Sequence, residues 1–431
     1  MISTTEFKDT EIGSIPFDWD LATLGELFDI QQGKSVSPEN RKGVSPHPFL
    51  RTANVLWGRL DLTKVDTMDF TNEEIEKLSL KSGDLLVCEG GDVGRTALWR
   101  GEIEKCAFQN HIHRLRARSS EIVPEFYMHW MQAALVYLGL YRGERIRTTI
   151  PNLSKGRLSS FVVPKPKFHE QRKIAYILDL ILEAIQNQRD LTKFCRELKR
   201  SFCNKLFTGG IANSNGKDTE IGPVPEKWEL CTMDQLLLLS QYGISEKGEA
   251  AGKYPIFRMN NIEDGRLQLD DLQYVNIDAE TFDKYRLAKG DVLFNRTNSI
   301  ELVGKTAFFD LPGDYVFASY LLRLKMDESR VDPKFLSYYI NWDATQARLK
   351  TLASRAVGQS NISATRLRTF QLPLPPYNEQ REITKILELV DAKIDLAEKR
   401  LLHLEQLFKS VLLSLMLGHV RTFDLEVKGH A

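Results

Sequence analysis

The sequence predicts an α+β protein made of two pseudo-repeated α/β domains and two long helices. Three observations predict it: an internal repeat, one change of texture inside each copy, and a heptad seam at the end of each copy. Residues 9–27 read DTEIGSIPFDWDLATLGEL and residues 218–236 read DTEIGPVPEKWELCTMDQL, with ten of 19 positions identical at an offset of 209. The same offset aligns Glu170-Gln171-Arg172 with Glu379-Gln380-Arg381. Between these anchors, FLRTANVLWGRLDL from Phe49 matches IFRMNNIEDGRLQL from Ile256, Gly83-Asp84 matches Gly290-Asp291, and Gly94-Arg95-Thr96 matches Gly304-Lys305-Thr306. A repeat this long is a module that folds on its own; solenoid units are far shorter.

Each copy begins with a mixed domain, residues 1–166 and 218–375. Short β-rich runs such as Leu85-Leu86-Val87 and Val292-Leu293-Phe294 sit between Gly, Asp and Asn turns, as strands do. Helical runs follow at 124–138 and 333–349. Proline-bearing extended pieces at 161–166 and 370–376 then close each domain, because proline disfavours helix in the residue before it.

A long helix follows in each copy, at 167–210 and 376–418. In the second copy Leu387, Val390, Ile394, Ala397, Leu401, Leu404, Phe408, Val411 and Leu415 alternate spacings of three and four, a heptad seam. In the first the seam is Ile177, Ile181, Ala184, Gln188, Leu191, Cys195, Leu198 and Phe202, weaker because Gln188 and Cys195 occupy it. A two-helix coiled coil is the simplest use for both seams. About 37 residues at about 1.5 Å each make a rod of about 55 Å, the length of about 16 base pairs. Residues 211–217, rich in Gly, Asn and Ser, read as a linker, and 419–431 as a tail.

The chain has 431 residues, with Lys+Arg 58 balanced by Asp+Glu 58. Zero net charge argues against a protein that is basic all over. No apolar run is long enough to span a bilayer, and the polar start lacks the pattern of a signal peptide, so a cytoplasmic protein without membrane contact is expected. Five cysteines, an odd number with no C-x-x-C pair, suggest neither a disulfide framework nor a zinc site.

Several motifs imitate catalytic chemistry. Gly304-Lys305-Thr306 resembles the end of a phosphate loop, but position 299 is Ser where that loop needs Gly. Pro375-Pro376-Tyr377 follows Leu374 rather than the Asn, Asp or Ser that begins an amino-methyltransferase motif. Glu197-Leu198-Lys199 lies on the long helix, where such charges form a solvated face, and His111-x-His113 has no evident third ligand. No catalytic, cofactor-binding or metal site is assembled.

A binding surface remains. Residues 141–173 carry nine Lys+Arg against two Glu, and residues 348–381 carry six against one. A basic stretch at the same place in both copies favours phosphate contact. Interleaved polar residues can read bases, arginine pairing with guanine and Asn or Gln with adenine. The DNA-binding candidates are Arg51, Asn54, Gln109, Asn110, His111, Arg145, Arg147 and Lys155 in the first copy. In the second they are Arg258, Asn260, Asn261, Asn295, Arg296, Asn298, Tyr320, Arg355, Gln359 and Arg366. The matched pairs Arg51/Arg258 and Asn54/Asn261 can equally be structural. Residues that choose sequence should differ between copies, as 89–92 and 295–301 do.

The order of these features resembles the DNA specificity subunit of type I restriction–modification systems over nearly the whole chain. The signs are Ile12-Gly13…Pro16…Trp19 and Ile221-Gly222…Pro225…Trp228, the paired Gly-Asp…Val-Gly-Arg/Lys-Thr-Ala segments, the proline-rich exits with Glu-Gln-Arg, the long helices, and the joint at 205–210. The resemblance implies two target-recognition domains, each reading half of a split site on double-stranded DNA, and an antiparallel coiled coil as spacer. It implies two modification subunits that methylate adenine with S-adenosylmethionine, and restriction subunits, motor-nucleases using ATP and Mg. This chain would then be non-catalytic. Two alternatives stay open: a self-contained DNA methyltransferase or nuclease, and a coiled-coil adaptor without base readout.

Overall fold

The computed structural model describes residues 6–37, 45–140, 152–212, 216–356 and 359–422. It forms two compact units, 1–190 with 399–431, and 191–398. Each long helix therefore contributes one part to each unit.

In the first unit four antiparallel strands stand in the order Thr96–Leu98, Leu85–Cys88, Ile112–Ala117, Phe28–Gln32. The second unit repeats the order with Thr306–Phe308, Val292–Asn295, Leu321–Met326 and Leu237–Tyr242. Leu85–Cys88 is apolar at every position and Val292–Asn295 at all but its last, because both faces are covered. Leu85 and Val87 enter the core of Phe126 and Trp130, while Leu86 and Cys88 enter that of Phe49 and Phe108. Val292 and Phe294 divide from Leu293 in the same way. Smaller sheets join Pro46–Leu50 with Ala107–Phe108 and Asp66–Asp69, and Tyr254–Phe257 with Val316–Phe317 and Gln273–Val275.

The expected helices form at Pro124–Gln132 and Pro333–Asn341, each with proline in the first turn, where its missing N–H costs nothing. The proline-bearing exits are strands Val162–Lys165 and Gln371–Leu374, paired with Asp20–Thr23 and Glu229–Thr232. Gly216–Thr219 is a strand, so the end of the expected linker is ordered structure; residues 213–215 lie outside the described residues.

The long helices run Phe168–Gly209 and Tyr377–Met416. The repeated Glu-Gln at their starts locks each module to its helix. In the first unit the Trp19 indole donates to Glu170 at 2.9 Å, and Gln171 joins the Val123 N–H to the Pro166 carbonyl. In the second, Trp228 donates to Glu379 at 3.1 Å, and Gln380 joins the Asp332 N–H to the Pro375 carbonyl. Arg421 from the tail adds bonds to Glu170 and Asp18, each at 2.9 Å or less in its best contact.

Within each unit the two helices run side by side in opposite directions. Arg189 meets Glu405 in the first; Arg196 meets Glu398 and Lys199 meets Asp391 in the second. The second-copy seam is buried or half-buried throughout. The first-copy seam is displaced by one residue. Leu191 and Leu198 are exposed, while Ile185, Thr192 and Cys203 face inward and Lys199 is held against Asp391. Apolar spacing misplaced it because two inward positions are polar.

Candidate nucleic-acid interface

One backbone frame is built twice at the loop end of the main sheets. In the first unit the Cys88 N–H donates to the Arg95 carbonyl and Gly94 N–H to the Cys88 carbonyl, both at 2.9 Å. In the second, Asn295 and Gly304 make the same two bonds with Lys305 and Asn295, both at 2.8 Å. Gly94 and Gly304 have φ of 83° and 92°, which a side chain would strain. The Gly-Lys-Thr segment is thus a turn between antiparallel strands, with none of the strand-to-helix geometry of a phosphate loop.

The next residue, Glu89 or Arg296, is fixed from both sides. Glu89 N–H donates to the His111 carbonyl and Arg296 N–H to that of Tyr320; Leu153 N–H then reaches Glu89, as Ile362 N–H reaches Arg296. A glycine beside the frame, Gly33 or Gly243, lets two strands approach so closely that a Cβ there would stand 2.2 or 2.3 Å from the Phe108 or Phe317 carbonyl oxygen.

On this shared frame the side chains differ. In the first unit Gln32 Nε2 donates to Glu89 Oε2 at 3.0 Å and to the Asn110 carbonyl at 2.9 Å. In the second the Arg296 guanidinium lies 4.7 Å over the Tyr242 ring and donates from Nη1 to the Ser319 carbonyl at 3.2 Å. Tyr242 also accepts from the Ala364 N–H at 3.2 Å. Tyr242 and Tyr320 are 43% and 46% exposed, and the Tyr242 ring lies beside a cation.

The family model described as Type I restriction modification DNA specificity domain matches residues 16–192 and again 225–406. The chain belongs to this family. It is 34% identical over 428 residues to the putative type I restriction enzyme MjaX specificity subunit of Methanocaldococcus jannaschii, covering 96% of each chain. It is 22% identical over 402 residues to the type I restriction enzyme EcoKI specificity subunit of Escherichia coli, covering 90% of this chain and 85% of that one. Its fold is similar to the S subunit of the type I restriction-modification system from M. genitalium, with a TM-score of 0.56 at 17% identity over 92% of this chain and 96% of that one. No helix among the described residues is long and apolar enough to cross a membrane.

Several candidates of this specificity-family chain are structural. Asn54 accepts from the Arg51 N–H and donates to the Asp61 and Lys64 carbonyls, and Arg51 pairs with Asp66 at 2.8 Å. Asn261 holds Arg258 and Asp270 likewise, and Arg258 pairs with Asp271 at 3.1 Å. Both asparagines are buried, closing the same short turn, which is why both copies keep them. Gln109 and Asn295 are buried too, and Asn260 is exposed on the turn Met259–Asn261.

Arg366 donates to the Leu352 carbonyl at 2.9 Å. Its neighbours in the second basic stretch are also engaged: Arg348 donates to the Gln371 carbonyl at 2.6 Å and Arg368 pairs with Asp234 at 2.5 Å. These three of the stretch's six basic residues thus also hold the fold together. Arg145 and Arg147 lie outside the described residues, and the side chain of Arg355 likewise.

The frame does gather Asn110, His111 and Lys155 in one unit and Arg296, Asn298, Tyr320 and Gln359 in the other. Lys155 follows Leu153 by two residues, and Asn298 pairs with Ser360 beside Gln359. Glu89 falls in the divergent stretch 89–92 noted from the sequence, whereas Gln32 and Tyr242 were not among the sequence candidates. The signal for them was a mismatch next to a matched glycine, Gly33 or Gly243.

His111 and His113 do not converge. His111 is exposed, whereas His113 is fully buried with Nε2 3.0 Å from the Leu153 carbonyl. Burial pushes its imidazole below the usual value, so it stays neutral in the fold. The unfolded chain takes up that proton as pH falls through about 6.5. Stability should therefore decline below that pH, since the unfolded state binds more protons. His113→Gln is expected to flatten the decline between about pH 5 and 6.5 in urea titrations. An unchanged slope would place its source elsewhere. The thiols are equally withdrawn: burial pushes Cys88 up to about 11 and Cys106 to about 12.

Proposed function

We propose that this chain is the DNA specificity subunit of a type I restriction–modification complex. Each unit reads one half of a bipartite target, and partner subunits methylate adenine or restrict the DNA. The observation that carries this reading is the frame built twice with different side chains, Gln32 with Glu89 in one unit and Tyr242 with Arg296 in the other. A scaffold kept constant while its exposed groups change is what reading two different half-sites requires. The family match on both units and the names of the relatives support it.

In this reading the chain supplies recognition and no chemistry. Two modification subunits carry S-adenosylmethionine and flip the target adenine out of the stack; motor-nuclease subunits use ATP and Mg. The test is direct. The purified chain with DNA and S-adenosylmethionine or Mg should show no turnover. With its modification subunits, base-resolution mapping should find methylated adenine within one bipartite sequence. Turnover by the chain alone would establish an enzyme instead, and methylation without sequence preference would establish an adaptor.

A further inference from the structure

The two frames differ by a paired exchange, and its hydrogen-bond bookkeeping assigns each a base. In the second unit Arg296 is pre-oriented. Its backbone is fixed on both sides, its guanidinium lies over the Tyr242 ring, and Nη1 is tethered to the Ser319 carbonyl. Its Nε is buried and the residue as a whole is half-buried, so any contact outward falls to the terminal nitrogens. Nη2 has no hydrogen-bond partner among the described residues. A flat, immobilised pair of donors matches the O6 and N7 acceptors that guanine alone presents together in the major groove.

In the first unit the equivalent pair has the opposite polarity. The Gln32 amide spends its N–H donors on Glu89 and on the Asn110 carbonyl, the counterpart of the Ser319 carbonyl that anchors Arg296. Gln32 is exposed, so what it presents is Oε1, an acceptor. With its donors engaged it cannot make the two-point contact to adenine that a free glutamine makes. It can accept from one exocyclic amino group, on adenine N6 or cytosine N4.

Resting on the specificity-subunit reading, we propose that this repeated position is the base-reading point of each unit. Arg296 reads a guanine in one half-site. Gln32 accepts from an amino-bearing base in the other.

The test is selection from a randomised duplex library by the full chain assembled with its modification subunits, followed by sequencing. Wild type should enrich a bipartite motif with a guanine in one half. Arg296→Lys keeps the charge but lacks the planar fork. It should lose about 5- to 150-fold of the preference for that guanine, with the other half-site and the salt dependence unchanged. Gln32→Leu should relax one amino-bearing position in the opposite half alone. Thermal melting of each variant checks that it folds, and Tyr242→Leu gives a second route to disorder Arg296 without touching it. A wild type that enriches no motif would overturn the specificity reading itself. A bipartite motif whose guanine preference survives both Arg296→Lys and Tyr242→Leu in folded protein would overturn only the assignment of Arg296. A first half-site unchanged by Gln32→Leu would overturn that of Gln32.

Discussion

Replacing residues 9–160 with the first domain of another family member should change one half of the methylated sequence completely and leave the other half as it was. Each frame is closed by bonds within its own unit: Glu89 with His111 and Leu153, Arg296 with Tyr320 and Ile362. Each sheet is likewise covered by cores of its own unit. The hydrogen bonds of the first frame all lie inside residues 9–160, while strand Val162–Lys165, the partner of Asp20–Thr23, is left in place for the incoming domain to pair with. The Glu-Gln lock at the head of the long helix lies beyond residue 160 and is retained, provided the donor domain brings its tryptophan. Methylation mapping in cells carrying the partner subunits checks the result. Simultaneous change in both halves would show that the units do not read independently.

The second large effect concerns that lock. Trp19 is fully buried and its indole donates to Glu170, which is itself only 1% exposed. Truncation to alanine empties a large volume and removes a donor from a buried carboxylate. Trp19→Ala should cost about 3–5 kcal/mol. For a unit of this size that lowers Tm by roughly 6–20 °C. Trp19→Phe keeps most of the ring and loses the hydrogen bond, so it should cost about 1–3 kcal/mol. Calorimetry of the two variants checks the order. Equal melting of wild type and Trp19→Ala would mean that Arg421 alone holds Glu170 in place.

The architecture was legible because it is written twice. The opening Trp, the proline exits and Glu-Gln stand at one offset, and each proved to be a contact that every copy needs. The interface was harder to read for the same reason. Asn54 and Asn261 match because both close a turn, so agreement between copies pointed toward scaffold. Arg348, Arg366 and Arg368 looked like a phosphate-binding stretch, but their partners, the Gln371 and Leu352 carbonyls and Asp234, are brought close only by folding. The first helical seam went astray by one position because Thr192 and Lys199 face inward, and spacing of apolar residues cannot register a buried polar residue. Gln32 and Tyr242 escaped notice because they are pairs across strands, not neighbours in sequence.

The Gln32–Glu89 contact also bears on how a chain like this could acquire a new target. Glu89 keeps only 13% of its side chain in water, and Gln32 is the side chain that donates to it. Arg296 rests on Tyr242 in the same mutual way. Altering Gln32 alone leaves the Glu89 carboxylate without that donor, and altering Tyr242 alone leaves the Arg296 guanidinium without its ring. Two simultaneous substitutions would be needed to move from one pair to the other. Gradual drift is therefore a poor route to new sequence preference, and exchange of a whole module, with both members already matched, passes around the barrier.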